Sequence, residues 1–134
     1  MNRIVIDAAN ARLGRLVSYA AKQSLLGKEV IIVNCKAAII TGGRRSIINE
    51  YKVMRQRGGH SLKGPHFPLQ SERIVKRTLR GMLSYKQGRG AEAFKRVICF
   101  SDIPAEYASQ AKPFKAQKPT VAKFIEVGDL SKEI

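Results

Sequence analysis

Within the first 34 residues two runs of aliphatic and β-branched side chains, Arg3-Ile4-Val5-Ile6-Asp7 and residues 29–34, flank a stretch with helical periodicity. The spacing predicts a strand, a helix over 11–26 capped by Asn10, and a second strand. In that helix Leu13, Leu16, Val17, Ala20 and Ser24 share one side. Arg12, Arg15, Tyr19, Lys22 and Gln23 fall largely on the other, and Gly27 stands where a helix can end. Connections this short on both sides of a helix imply parallel neighbouring strands joined by a right-handed crossover, which makes the chain an α/β protein.

At 134 residues and 44% hydrophobic the chain suits one domain over 1–134, with no repeat and no linker. Residues 38–41 read as a strand too close behind Asn34 for a parallel crossover, so their place in a sheet stays open. Gly42-Gly43 open a helix over 44–57 whose faces separate poorly: Ile47, Ile48, Tyr51 and Met54 share a side with Arg44 and Arg55. Residues 58–68, GGHSLKGPHFP, form a long loop with three glycines and two prolines. A helix capped by Ser71, a turn, a short helix over 91–96 and an apolar strand over 97–100 follow. Pro104, Pro113 and Pro119 mark 104–134 as an extended C-terminal arm that ends in a short strand over 124–127.

The formal charge of +15 and an isoelectric point near 10.4 point to a polyanionic partner. The excess is local. Residues 35–99 carry fifteen basic and three acidic side chains, whereas 100–134 carry five of each. No apolar run approaches the roughly 20 residues needed to span a bilayer, and the N-terminus has no signal-like stretch, so a cytoplasmic protein without membrane contact is expected. Cys35 and Cys99 sit beside apolar runs and read as reduced, buried thiols.

Charge and periodicity meet in SERIVKRTLRGML, residues 71–83. At about 100° per residue, Ile74, Val75, Thr78, Leu79, Met82 and Leu83 centre on one direction, and Arg73, Lys76, Arg77 and Arg80 centre roughly 160° away. Like charges at such spacings repel by about 0.2–0.5 kcal/mol per pair, and Glu72, the one nearby acid, is placed for the helix dipole. Phosphates would relieve that repulsion. The same argument extends to Arg44, Arg45, Lys52, Arg55 and Arg57, to Lys86 and Arg89, and to His60, Lys63 and His66 in the loop. In that loop glycines permit close backbone approach, and rings can stack on unpaired bases. Gly88-Arg89-Gly90 could offer backbone amides to phosphate.

Catalytic signatures are poor. Thr41-Gly42-Gly43-Arg44-Arg45-Ser46 lacks the full phosphate-loop pattern, and Gly88-Arg89-Gly90 lacks the third glycine of a dinucleotide site. His60 and His66 have no cysteine or carboxylate partners at ligand spacing. Asp7 ends a strand where α/β enzymes place ligands, yet it equally suits a cap for the next helix, the reading favoured here. No catalytic residue, metal or cofactor is expected. A nucleotide-binding enzyme and a DNA-compacting protein are the two competing classes.

Asp7-Ala8, Leu13-Gly14-Arg15-Leu16, Ala21-Lys22, Leu25-Leu26-Gly27, Val33-Asn34, Thr41-Gly42, Arg80-Gly81-Met82-Leu83, and Gly90 with Ala93 resemble the ribosomal protein L13 family over nearly the whole chain. Arg-Gly-Met-Leu is the most specific element, and the long basic loop is more similar to the archaeal and eukaryotic branch. Ser84 stands where family members often have proline. The resemblance implies a three-layer α/β/α domain around a small, mainly parallel four-stranded sheet. It also implies a non-enzymatic, single-copy subunit of the cytoplasmic ribosome, beside other large-subunit proteins. Such a subunit binds large-subunit (23S-type) rRNA, takes no small-molecule substrate and contributes to assembly. RNA contact carries over to Arg80 and its helix neighbours, and to Arg12 and Arg15.

Overall fold

In the computed structural model, which describes residues 3–56, 70–114 and 123–133, strand β1 (Arg3–Asp7) leads through helix α1 (Leu13–Leu25) to β2 (Glu29–Val33). The two strands pair in parallel, from Arg3 opposite Glu29 to Asp7 opposite Val33. Strand β3 (Ile39–Thr41), helices α2 (Arg44–Gln56), α3 (Ser71–Gly81) and α4 (Gly88–Lys95), and strand β4 (Val97–Cys99) follow. The C-terminal part holds β5 (Lys112–Pro113), β6 (Phe124–Glu126) and helix α5 (Val127–Glu133). The main sheet has the order β4-β2-β1-β5 and every pairing in it is parallel. Central β2 is buried from Val30 to Val33, as a parallel strand covered on both faces must be.

One face of the sheet carries the helices. Ile6, Val30, Ile32 and Val97 pack with Leu16, Val17 and Ala20 of α1, Ile74, Val75 and Leu79 of α3, and Ala93 of α4. On the other face Val5, Ile31 and Val33 lie under Phe100, Tyr107 and Ala111. Among the described residues, that second cover is a connecting segment with a 3-10 turn at Ala105–Tyr107, not an α-helix.

Residues 38–41 find their partner at the far end of the chain. β3 pairs antiparallel with β6, Ile40 opposite Ile125, in a separate two-stranded sheet. Helix α2 lays Ile47, Ile48 and Tyr51 on this ribbon and on Leu130 of α5, so the C-terminal arm closes a second small core. The arm therefore ends in a helix that its short amphipathic pattern did not announce.

Three expected caps are corrected. Asn10 does not cap α1: it sits at φ +60°, and its amide donates to Ala37 O at 3.1 Å. The chain stays extended for two more residues because Ala11 O accepts from Ile39 N at 2.8 Å, so Arg12 takes the cap position without a side-chain bond. Asp7 is no helix cap either, since α1 starts only at Leu13 with Arg12 at its cap position. Its Oδ1 accepts from Ala9 N at 3.0 Å and from Asn34 Nδ2 at 3.3 Å, tying the ends of β1 and β2 together. Ser71 is the first residue of α3, and Gln70 precedes it as a cap with no side-chain hydrogen bond. Gly27, at φ +92°, follows the end of α1 as expected.

Candidate nucleic-acid interface

Helix α3 forms because its apolar residues fall on one stripe, and Ile74, Val75 and Leu79 are fully buried against α1 and the sheet. That burial fixes the rotation of the helix and therefore where its cations go. Arg73 is exposed, while Arg77 and Arg80 are half-buried. The Arg80 guanidinium stands 4.9 Å from the centre of the Tyr85 ring, a cation–π contact that holds it at the surface beside the turn leading to α4. Glu72 lies in the first turn, on the side favoured by the helix dipole.

Lys76 behaves differently from its neighbours. Its Nζ donates to Phe94 O at 3.1 Å and to Val97 O, and lies 4.5 Å from the Phe94 ring centre. Burial lowers its pKa from the ordinary lysine value, offset in part by Cys99. The ammonium thus holds the end of α4 and the start of β4 to α3.

A shallow groove of about 310 Å³ runs beside it, with Arg73 from α3 and Lys95 from α4 among its lining residues. Lys95 was not singled out from the sequence, because the helix reading began three residues too late to show which side of α4 it occupies. Arg89 and Lys86 are exposed near the same helix and its preceding turn. Gly90 has a packing role: a Cβ there would stand 1.9 Å from Ser84 O, so only glycine lets α4 pass under the turn.

The remaining basic residues lie on other elements. Arg44, Arg45 and Lys52 are exposed on α2, with Arg44 3.9 Å from Glu133 of α5. Arg15 is exposed and Arg12 half-buried at the start of α1. Arg57, His60, Lys63 and His66, and the side chain of Arg55, lie outside the described residues, as does the whole of the 58–68 loop. Arg96, absent from the sequence reading, donates to Ser24 O at 2.9 Å and is 3.8 Å from Glu92, so it joins α4 to the end of α1.

Both cysteines are free thiols. Cys35 is fully buried, its thiol donating to Ile32 O at 3.7 Å, and the neighbouring Cys99 thiol, together with burial, pushes its pKa up, the reverse of an activated nucleophile. Among the described residues no three His, Cys, Asp or Glu side chains gather as metal ligands, and no helix is long and apolar enough to cross a membrane.

The family model described as Ribosomal protein L13 matches residues 1–106. Among archaeal relatives, each named "Large ribosomal subunit protein uL13", that of Methanococcoides burtonii is 39% identical over 134 residues, covering 97% of this chain and 96% of the relative. The Methanosarcina barkeri protein is 40% identical over 135 residues, covering 97% and 96%. The Archaeoglobus fulgidus protein is 45% identical over 102 residues, covering 76% and 65%. The chain belongs to the ribosomal protein L13 family, whose members are structural components and not enzymes.

Proposed function

We propose that the chain is a structural constituent of the large ribosomal subunit, where it binds folded 23S-type rRNA by neutralising phosphates and contributes to subunit assembly in the cytoplasm. Neighbouring large-subunit proteins would share the site, with one copy in each ribosome. The observation that carries this reading is the orientation of α3: its apolar stripe is buried while Arg73 is exposed and Arg80 is held at the surface by Tyr85. Guanidinium groups suit the task because their planar fork can bridge two phosphate oxygens. Lys95 joins the set across the groove, and Arg89, Lys86, Arg15, Arg12, Arg44, Arg45 and Lys52 extend it over the molecule. Arg55, Arg57, His60, Lys63 and His66 belong to the same proposed surface on the ground of their sequence alone. Lys76 is left out, since its ammonium is occupied by two carbonyls.

The test is affinity for large-subunit rRNA as a function of salt. Counterion release predicts a logarithmic slope of about −0.7 to −0.9 per neutralised phosphate. A steep negative slope is expected, and an affinity independent of salt would end the phosphate reading.

A further inference from the structure

A second site lies on the far side of α1 from the sheet's β4 edge. Strand β5 is two residues long and pairs with β1 only at Ile6 and Asp7, which leaves the edge of β1 over residues 3–5 without a strand beside it among the described residues. Below that edge is a half-open pocket of about 370 Å³, within the range of small-ligand sites. Ile4 contributes to its apolar lining, Gln110 and Arg3 supply polar groups, and Tyr19 and Phe114 bring two rings whose centres are 5.3 Å apart at 45°. Lys112 also lines it, and among the described residues has no ion-pair partner. Arg3 is held in place by Glu29 at 3.4 Å.

The surroundings have the same sign of charge. Arg15 and Lys22 are exposed one turn to either side of Tyr19 on α1, so a strand of phosphates could run along that helix while a base turns inward. Aromatic surface flanked by cations is the arrangement that receives unpaired bases, because every base offers a π-face and its backbone a negative charge. A peptide added to the β1 edge would use the free backbone but would leave Lys112, Arg15 and Lys22 unmatched unless it were acidic.

We propose that this pocket takes a single unpaired nucleobase of the rRNA, stacked against Tyr19 and Phe114, with flanking phosphates on Lys112, Arg15 and Lys22. The proposal rests on the rRNA-binding reading above and adds a base-binding subsite to it.

The full chain is titrated with single-stranded hexaadenylate and, separately, with a duplex RNA and with large-subunit rRNA. Tyr19→Ala and Phe114→Ala are each expected to weaken hexaadenylate binding roughly tenfold, the loss typical of one stacked base, and to leave duplex affinity unchanged. Tyr19→Phe keeps the ring and should bind as the native chain does. Equal hexaadenylate affinity in native and both alanine variants overturns the pocket while salt-dependent rRNA binding stands. Displacement of hexaadenylate by an acidic hexapeptide with loss of the Tyr19 and Phe114 dependence overturns it in favour of an added strand. If the native chain fails to bind rRNA at all, the underlying reading falls first. Ultraviolet crosslinking to rRNA gives a readout without substitutions: crosslinks at Tyr19 or Phe114 support the pocket, and their absence among recovered crosslinks overturns it.

Discussion

The ammonium of Lys76 donates a hydrogen bond to the carbonyl oxygen of Val97, the first residue of edge strand β4. Phe94 O accepts a second, so one side chain joins three elements. Removing it in Lys76→Met leaves both carbonyls without that donor, which should cost about 1–3 kcal/mol at neutral pH. The pH dependence carries a sign. Burial holds the folded-state pKa below the ordinary 10.5. Between that lowered value and 10.5 the unfolded chain therefore binds more protons than the folded one, and this group's contribution to stability rises with pH. Denaturant midpoints for the native chain and Lys76→Met, compared from pH 7 to 10.5, should show the native advantage growing toward the alkaline end. A constant difference would mean that the ammonium has the same pKa in the folded and unfolded chain.

Two glycines nearby should respond in opposite directions. At Gly90 a Cβ would meet Ser84 C at 2.3 Å as well as Ser84 O, and backbone cannot move aside cheaply. Gly90→Ala should lose about 3 kcal/mol, the upper part of the range for overpacking. At Gly81, the last residue of α3, a Cβ meets nothing within 4 Å and φ is not positive. Gly81→Ala should gain about 0.5–1 kcal/mol from helix propensity and a less flexible unfolded chain. Thermal melts of the two variants decide both.

Arg73→Glu with Arg80→Glu should separate binding from folding. Arg73 makes no ion pair among the described residues, and Arg80 loses one cation–π contact of about 0.5–1 kcal/mol. Affinity for large-subunit rRNA should fall and its salt slope should shrink by about 1 per residue, with the melting temperature nearly unchanged. A variant that fails to fold would place these guanidinium groups inside the protein's own architecture.

Thiol labelling tests the packing between β2 and β4. Cys35 is fully buried and its thiol donates to Ile32 O at 3.7 Å, whereas Cys99 is partly exposed. Iodoacetamide at neutral pH should modify Cys99 first, with Cys35 modified only at the rate of unfolding. Rapid labelling of Cys35 in native buffer would show that the 3-10 turn after β2 opens locally.

How much was legible follows from where each partner lies. The β1-α1-β2 unit was readable because its residues find one another within 34 positions, and the expected buried side of α1 is the one observed. The apolar stripe of α3 was readable for the same reason, since its period is written in adjacent turns. Asn10 and Asp7 misled because a polar residue ahead of a helix resembles a cap whether or not another strand is holding the chain away from it. Here Ile39 does so, and its strand is held by β6, near the far end of the chain. Helix α2 looked poorly divided because its apolar residues meet Ile125 and Leu130, almost 80 positions away along the chain.

By itself the order of residues determined the α/β class, the buried stripes of α1 and α3 and the location of the charge, all set by local period and composition. Tertiary structure alone decided which cations remain at the surface. Arg73 and Lys76 belong to the same charged face on a helical projection, but the end of α4 and the start of β4 bring carbonyls within reach of one and not the other. The same holds for β3, whose hydrogen-bonding edge is completed by a strand that the chain supplies only near its end.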